Sequence, residues 1–363
     1  MQRSRHEAGT TAQEVPPTSF AGELRHTVAP RTLLLIVGVL FLQIAFIFSY
    51  VGAFHSPTPH EISISVVAGP KTGQVVAQLN GIDGDPLTAT AAASAGVAKQ
   101  QVKDGDTSAA LVMSGTNNKD TLYVASGGGS STVTAVEQTI SQVESAQQRS
   151  ADSVDLVPLQ AHDARGLTGF YLVIGWIVGG YLVAAAIGII GSPRPRGIGA
   201  AGGRLAALVP YAVVSGLLGA LVVDQVLGAL TGRFLALWGV GTLLVLGSAT
   251  ITIAMEALFG IVGIGMTILV FVVLGNPSAG GAYQFDVLPG FWRVIGPLIP
   301  NGAGTSAVRN IVYFDGRHLT GQLVCLVVYI VVGVLGTLGA TWWFSRGSDA
   351  RAAVGEPAPA PSR

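Results

Sequence analysis

Six long stretches without a charged residue constrain this chain more than any other feature of its sequence. Each stretch has about 19 to 26 residues, enough for an α-helix to cross a hydrocarbon core of about 30 Å at about 1.5 Å per residue. The stretches are Thr32–Phe54, Leu167–Ile190, Leu205–Val223, Phe234–Met255, Ala257–Gly275 and Leu319–Phe344. The sequence therefore predicts an α-helical polytopic membrane protein with six transmembrane helices.

The composition excludes an ordinary soluble enzyme. Only 11% of the 363 residues are charged and 50% are apolar, whereas a soluble domain carries about 25% charged residues. Twenty Lys and Arg balance twenty Asp and Glu, so no net field attracts nucleic acid, and no nucleic-acid partner is expected. The single cysteine, Cys325, rules out a disulfide framework and is interpreted as a packing residue.

The fourth and fifth stretches are separated only by Glu256. A single helix over residues 234–275 would be about 60 Å long, roughly twice the bilayer core, and would bury Glu256 near its middle. We therefore predict two spans joined by a tight hairpin, with Glu256 at the surface.

Basic residues near the ends of the spans predict the orientation. Arginines cluster before the first span, after the second and after the sixth, and such clusters mark the cytoplasmic side. They are Arg25, Arg31, Arg194, Arg196, Arg204, Arg346 and Arg351. Both termini are then cytoplasmic, with a tail over residues 1–31 and a disordered tail over residues 345–363.

Residues 55–166, between the first and second spans, predict an extracytoplasmic α/β domain. Their hydrophobic periodicity gives the order β-α-β-α-β-β-α-β. The predicted strands and helices are Glu61–Ala68, Thr72–Leu79, Leu87–Ala93, Ser94–Lys103, Ser108–Met113, Thr121–Ala125, Ser131–Gln148 and Val154–Leu159. Because this pattern can bury a core of its own, we expect residues 56–165 to fold alone.

Residues 167–344 are predicted to form a five-helix membrane domain whose outer loop, residues 276–318, is broken by prolines and partly re-entrant. Its short helix is placed at Thr305–Phe314. Trp292 is interpreted as an interfacial anchor, and Arg309 as a partner of Asp286 or Asp315. At the mouth of the second span, Asp163 and Arg165 either fasten the outer domain to the membrane or are ordinary solvated charges.

No catalytic, cofactor or metal site is predicted. Gly197–Gly202 has dinucleotide-binding spacing, but no strand precedes it, and Ala68–Gly73 has its glycine and lysine in the wrong order for a Walker loop. Four histidines at the outer ends of spans would have to meet to hold a metal, and interfacial histidines without a ligand are commoner. These are His55, His60, His162 and His318.

Several short segments of the sequence, taken in their order along the chain, resemble a known protein family. They are Gln101–Asp106 with Ala109–Val112, Asp163–Gly166, Gly275–Ser278, Leu288–Trp292, and Ile299–Gly302 with Ala307–Arg309. Together with one span, an outer α/β domain and five further spans, they resemble the ABC-2 type transporter permeases. The similarity is to the phage-infection-protein (Pip, YhgE-like) branch and related actinobacterial membrane proteins, without the extended coiled-coil insertion of its long members.

The resemblance implies a permease in the bacterial plasma membrane that exports a substrate and is powered by a separate ATP-binding subunit. Arg194, Arg196 and Arg204 would then lie in the loop that contacts this ATPase, and a homodimer is compatible with the resemblance. Two alternatives stay open: an ion-coupled carrier, disfavoured because the six stretches hold no charged group, and a membrane-anchored binding or sensing protein without transport.

Overall fold

The structure, a computed structural model, describes residues 30–115 and 117–353. The chain divides into two compact units, residues 1–45 and residues 46–363. In the first unit the described residues begin helix α1 (Pro30–Phe54). Their apolar side chains are exposed, with Leu34 at 71%, as in a helix that is apolar on all sides. Most of the predicted tail, residues 1–29, lies outside the described residues.

Residues 55–166 form a small α/β region with the predicted order of elements. Its strands and helices are β1 (Ile62–Val67), α2 (Thr72–Asn80), β2 (Leu87–Ala91), α3 (Ala95–Asp104), β3 (Ala109–Val112), β4 (Lys119–Val124), α4 (Ser130–Ala146) and β5 (Ser150–Asp155). The last strand begins four residues before the predicted Val154. Its side chains are mostly exposed, so this edge strand shows no apolar alternation.

The five strands form one sheet in the order β2-β1-β3-β4-β5. Strand β1 is parallel to β2 and to β3, while β4 runs antiparallel to β3 and parallel to β5. Short connections explain the antiparallel pair, because β3 and β4 follow each other directly whereas every parallel pair is joined through a helix.

Each face of the sheet has its own apolar core. On one face Ile64 and Leu111 pack with Ile140 of α4, and Val287 from the distant outer loop completes the cluster. On the other face α3 packs on the sheet, and the cluster includes Phe314, which is 7% exposed. Each core is thus built mainly from residues 56–165 and is completed by one buried residue from outside them, and independent folding of this segment stays a prediction.

A buried acidic pair, Asp120 and Glu144, lies between the start of β4 and the end of α4. Asp120 accepts hydrogen bonds from Arg149 Nε at 2.8 Å and from the Ser114 amide at 2.6 Å. Although burial raises its pKa, these hydrogen bonds outweigh burial and leave the pKa lowered. Glu144 is 2% exposed, and burial together with the neighbouring Asp120 raises its pKa to about 7.

We expect Glu144 to reduce the stability of the protein as the pH rises. The unfolded chain ionises Glu144 near pH 4.3, whereas the folded chain keeps it protonated up to about pH 7. The difference in melting temperature between Glu144→Gln and the wild type should therefore shift by a few degrees in favour of the variant between these pH values. Above pH 7 this difference should stay constant. The control is Glu137→Gln, a partly exposed residue of α4, and an equal gain there would contradict the prediction.

Five of the described helices are long and apolar enough to cross a membrane, which supports a multi-pass membrane protein. After α1 come α5 (Thr168–Gly191) and α6 (Ile198–Leu221), which a π-helical turn extends to Val226. The others are α7 (Phe234–Phe259) and α11 (Thr320–Ala353). Helix α11 continues through residues 345–353, so the predicted disorder of the tail is wrong there, and residues 354–363 lie outside the described residues.

The fifth predicted span is shorter than expected. Helix α7 runs past Met255 to Phe259, and the chain turns at Gly260, whose φ of +64° favours glycine. The next apolar helix, α8 (Val262–Ile268) with its π-helical continuation, ends at Leu274, about 20 Å in length. The hairpin is thus present, but Glu256 is not at the surface: it lies inside α7 and is fully buried.

Small residues let the helices of the bundle approach closely, with α7 in contact with α5, α6 and α11. A Cβ atom on Gly216 would be 2.7 Å from the Thr242 amide, and one on Gly333 would be 2.5 Å from Thr250 Oγ1. A larger residue at either glycine would force the helices apart. Gly175 and Gly339, by contrast, have no described atom within 4 Å of such a Cβ.

The outer loop is broken into short segments, as predicted. A 3-10 turn at Phe285–Val287 is followed by α9 (Gly290–Ile295), a second 3-10 turn and α10 (Pro300–Tyr313). Helix α10 begins five residues before the predicted Thr305, because Pro300 fits the first turn of a helix instead of interrupting it. Its first six residues are buried against protein, which is the setting that irregular backbone at membrane depth requires.

Candidate functional site

The α/β region and the outer loop meet at a glycine turn, Ser126–Gly129, between β4 and α4. A Cβ atom on Gly127 would be 2.5 Å from Cδ1 of Tyr313, and one on Gly129 would overlap the side chain of Gln284. Gly129 also has a φ of +149°. Because these glycines have no side chain, two side chains of the outer loop can pack directly on the turn. The sequence alone does not reveal this contact, since glycines in a turn indicate only a flexible backbone.

Gln284 caps helix α4 from another part of the chain. Its Oε1 accepts hydrogen bonds from the amides of Ser131, at 3.0 Å, and Thr132, at 3.3 Å, and from the Ser131 hydroxyl. Asp286 accepts a further bond from the Thr132 hydroxyl at 2.8 Å. Because the first amides of a helix have no partner within it, these contacts stabilise the start of α4 only while the outer loop is in place.

Of the two roles that the sequence leaves open for Asp163, its contacts are those of a junction between the segment 55–166 and the helix that follows. Asp163 is 2% exposed. Its Oδ1 accepts from the Thr168 amide at 3.0 Å, which caps the start of α5, and its Oδ2 accepts from the Tyr313 hydroxyl at 2.7 Å. Burial and this bond both raise the pKa of Tyr313, so the phenol stays a donor. Arg165, by contrast, is exposed.

Arg309 lies in α10 and fastens the outer loop in a way that the sequence does not predict. Its Nη2 donates to the carbonyl of Gly280 at 2.8 Å. Among the described residues it forms no ion pair within 4 Å, and Asp315 pairs with Arg233 instead. Asp286 is close enough to act on Arg309 electrostatically, while burial raises the pKa of Asp286. The predicted direct pairs of Arg309 with Asp286 or Asp315 are therefore wrong.

A cavity of about 600 Å³ lies between these residues, a size typical of small-molecule sites. Its polar wall includes Arg309, Asp286, Gln284, Asn310, Ser306 and Gln322, and its apolar wall includes Phe285, Phe314, Pro297 and Leu298. The Oε1 atom of Gln322 is buried and has no hydrogen-bond partner among the described residues. The arrangement offers a cation, one acid and amides beside aromatic surface, which suits a ligand with a polar end and an apolar body.

Trp292 is not the interfacial anchor that the sequence predicts. It is 5% exposed and packs with Ala53 and Leu288, and its indole lies over Gly52 of α1. The neighbouring Phe291 is 59% exposed. The aromatic pair was recognisable in the sequence, but which of the two rings faces protein depends on the position of α1.

The three arginines of the predicted ATPase-contact loop have different surroundings. Arg196 is exposed. Arg194 donates to the carbonyl of Leu258 at 3.2 Å and stacks on Phe344, with the guanidinium carbon 4.4 Å from the ring centre. The Nη1 atom of Arg204 is buried and has no hydrogen-bond partner among the described residues. Of these three arginines, Arg194 and Arg204 are thus engaged with or buried in the bundle, whereas the side chain of Arg196 is exposed.

A second polar site lies within the membrane bundle. Asn301, at the start of α10, is fully buried and donates to the carbonyl of Phe271 at 2.9 Å and to Asn276 Oδ1 at 2.8 Å. A Cβ atom on Gly275 would overlap its amide group. These contacts tie the broken backbone at the start of α10 to the end of the short apolar helix and give the Phe271 carbonyl, in its π-helical turn, a donor from another segment.

In residues 30–115 and 117–353 there is no group of three or more His, Cys, Asp or Glu side chains that could hold a metal ion. Comparisons of the chain with protein-family models, with curated proteins and with solved structures find no match.

Proposed function

We propose that this chain is the membrane-embedded permease subunit of an exporter of the ABC-2 type. The observation that supports it most is the cavity of about 600 Å³ between the α/β region and the broken outer loop. The two segments that enclose it are joined to the bundle: Asp163 accepts a bond from the start of α5, and Asn301 at the start of α10 donates to Phe271. A substrate site at the mouth of a helix bundle is what a permease requires, whereas a mere anchor needs neither the broken loop nor five long helices.

In this proposal the energy comes from a separate ATP-binding subunit. The chain carries no Walker motif, so it needs a partner to use ATP. The partner would bind the loop after α5, where Arg196 is exposed. Arg194 and Arg204 support this loop from within, because one holds the end of α7 and the other has a buried guanidinium nitrogen.

An ion-coupled carrier is the second candidate, and one observation favours it. Glu256 is fully buried within the span Phe234–Phe259, and a buried ionisable residue in a membrane span commonly belongs to an ion pathway. The absence of charges from the six stretches is therefore weaker evidence against a carrier than the sequence alone suggests.

Co-purification tests the first candidate. The wild type, extracted from its own membranes in mild detergent, should retain an ATP-hydrolysing subunit. Arg196→Ala should weaken this retention about ten-fold, since losing an interfacial arginine costs roughly 1.4 kcal/mol or more. Arg165→Ala is the matched control, because it removes an exposed arginine from the opposite end of α5. Equal retention by both variants would contradict the proposed contact.

The same preparations distinguish the two candidates. In vesicles that contain the purified chain without the ATP-binding subunit, an imposed pH gradient should persist, as reported by a trapped pH-sensitive dye. Dissipation that requires intact Glu256 would favour the carrier and overturn the proposal.

A further inference from the structure

Glu256 occupies a closed site near one end of the bundle. Its relative exposure is 0%. Its carboxylate lies against Gly188 of α5 so closely that a Cβ atom there would overlap both oxygens, and Gly263 of α8 packs equally closely on the backbone of Met255 and Glu256. The acid is therefore enclosed by the backbone surfaces of two glycines, one on α5 and one on α8.

The surroundings of Glu256 contain one charge and no hydrogen-bond partner. Neither carboxylate oxygen has a partner within the described residues, and Arg204 of α6 is the charge close enough to act on it. The Nη1 atom of Arg204 is buried and unpartnered as well, yet the two groups form no ion pair within 4 Å. The acid and the cation thus face each other without joining.

The other elements around Glu256 supply no further ionised partner. Helices α5 and α8 contain no charged residue. Helix α11 packs on α7 through Gly336 at Ala254, and its nearest described arginine, Arg346, stacks on Trp342. Arg194 is engaged with the Leu258 carbonyl and Phe344.

A carboxylate in this position would be ionised, buried and without a hydrogen bond, which is among the costliest states a side chain can adopt, whereas the neutral acid is far less costly. We propose that Glu256 is a proton-binding site: it holds one proton in this conformation and, on releasing it, pairs with Arg204. The O–H bond breaks, the proton passes to water at this end of the bundle, and the carboxylate keeps the electron pair. This inference goes beyond the proposed function, because it concerns the acid–base state of the bundle and not its energy source.

Pairing would join the start of α6 to the end of α7. In the conformation described, the two helices keep their complementary groups apart, so the release of a proton would favour a second arrangement in which they approach. The site therefore couples a proton to the relative position of two spans, whether the protein is driven by ATP or by an ion gradient.

Infrared spectroscopy of the full chain in lipid nanodiscs tests the proposal. The wild type should show the carbonyl band of a neutral carboxylic acid, and this band should disappear as the pH is raised. Because Glu144, which is also buried, stays protonated up to about pH 7, the variants are compared in a Glu144→Gln background: the band should persist there, and adding Glu256→Gln should remove it. Labelling the wild type with ¹³C-glutamate should shift the band, which gives a measurement that does not depend on the folding of any variant.

Arginine variants test the pairing. Arg204→Gln removes the cation that competes with the proton, so the band should persist to a pH about 1 to 3 units higher. Arg196→Gln, an exposed arginine of the same loop, should leave the titration unchanged. A band that is absent from the wild type at every pH, that survives Glu256→Gln in the Glu144→Gln background, or that is insensitive to ¹³C-glutamate would overturn the proton site. A titration that Arg204→Gln does not move would overturn the pairing.

Discussion

Replacing Gly241 with alanine should disrupt the folded helix bundle, whereas the same replacement at Gly239 should leave it intact. The indole of Trp176 lies between α6 and α7, and a Cβ atom on Gly241 would be 2.5 Å from two of its ring atoms. The ring is held where it is: it is 3% exposed, a Cβ atom on Gly219 would also overlap it, and its Nε1 donates to the Ser215 carbonyl at 3.2 Å. Overpacking of this kind costs about 1–3 kcal/mol or more.

The pair of variants separates packing from helix propensity. Both glycines lie in α7, two residues apart, and alanine improves helix propensity equally at each. A Cβ atom on Gly239 has no described atom within 4 Å, so its melting temperature in detergent should not fall. If Trp176 causes the clash, Trp176→Ala should be destabilising alone, by about 3–5 kcal/mol, but should add little to Gly241→Ala. Equal melting temperatures of the two glycine variants would contradict the prediction.

The spans were largely predictable because exclusion of charge from a bilayer is a strong and local signal. It failed where a charge is buried by protein instead of exposed to water. Glu256 divides the fourth and fifth stretches in the sequence, yet in the structure it lies inside α7, and the helix ends only at Phe259. A charged residue therefore marks the end of a span only where it is not buried by neighbouring helices. Here Gly188 of α5 makes room for Glu256, and the sequence around Glu256 cannot reveal a contact with another helix.

The order of strands and helices in the α/β region was predictable from hydrophobic periodicity, since each element shows its own apolar face. What completes those faces was not. Val287 and Phe314 follow the region by more than a hundred residues and enter its two cores. The outer loop contains both residues in segments whose apolar side chains equally suit a membrane interface, so hydrophobicity could not assign them to the sheet.

The residues of the candidate site divide in the same way. Asp163 was a candidate junction residue because of its place at the mouth of the second span, but the sequence could not distinguish this role from that of a solvated charge; the structure shows its bond to the start of α5. Gln284 and Tyr313 were missed, since an amide and a phenol in a loop carry no signal until the glycines they contact are known. The glycine turn before α4 could be recognised in the sequence. The sequence did not show that these glycines are needed because another segment of the chain packs directly on them.

Replacing Gly127 with alanine should release the α/β region from the outer loop. Its Cβ atom would be 2.5 Å from Cδ1 and 2.7 Å from Cγ of Tyr313, and the ring cannot yield without breaking the bond between its hydroxyl and Asp163. Because Gln284 binds the adjacent start of α4, its hydrogen bonds should weaken together with this contact. We expect a loss of about 1–3 kcal/mol and faster hydrogen exchange in the first turn of α4 and at the end of α10.

The comparison with Gly73→Ala makes this outcome specific to docking. Gly73 lies in α2 of the same region, and a Cβ atom there has no described atom within 4 Å, so alanine should preserve or raise stability through helix propensity. Exchange in α7, away from the contact, should be the same in both variants and in the wild type. Since Tyr313 and Phe314 end the helix that lines the cavity, faster exchange confined to α4 and α10 would show that docking holds the cavity together. Unchanged hydrogen exchange in Gly127→Ala would mean that the Tyr313 ring moves aside freely and that the outer loop does not depend on its contact with the glycine turn.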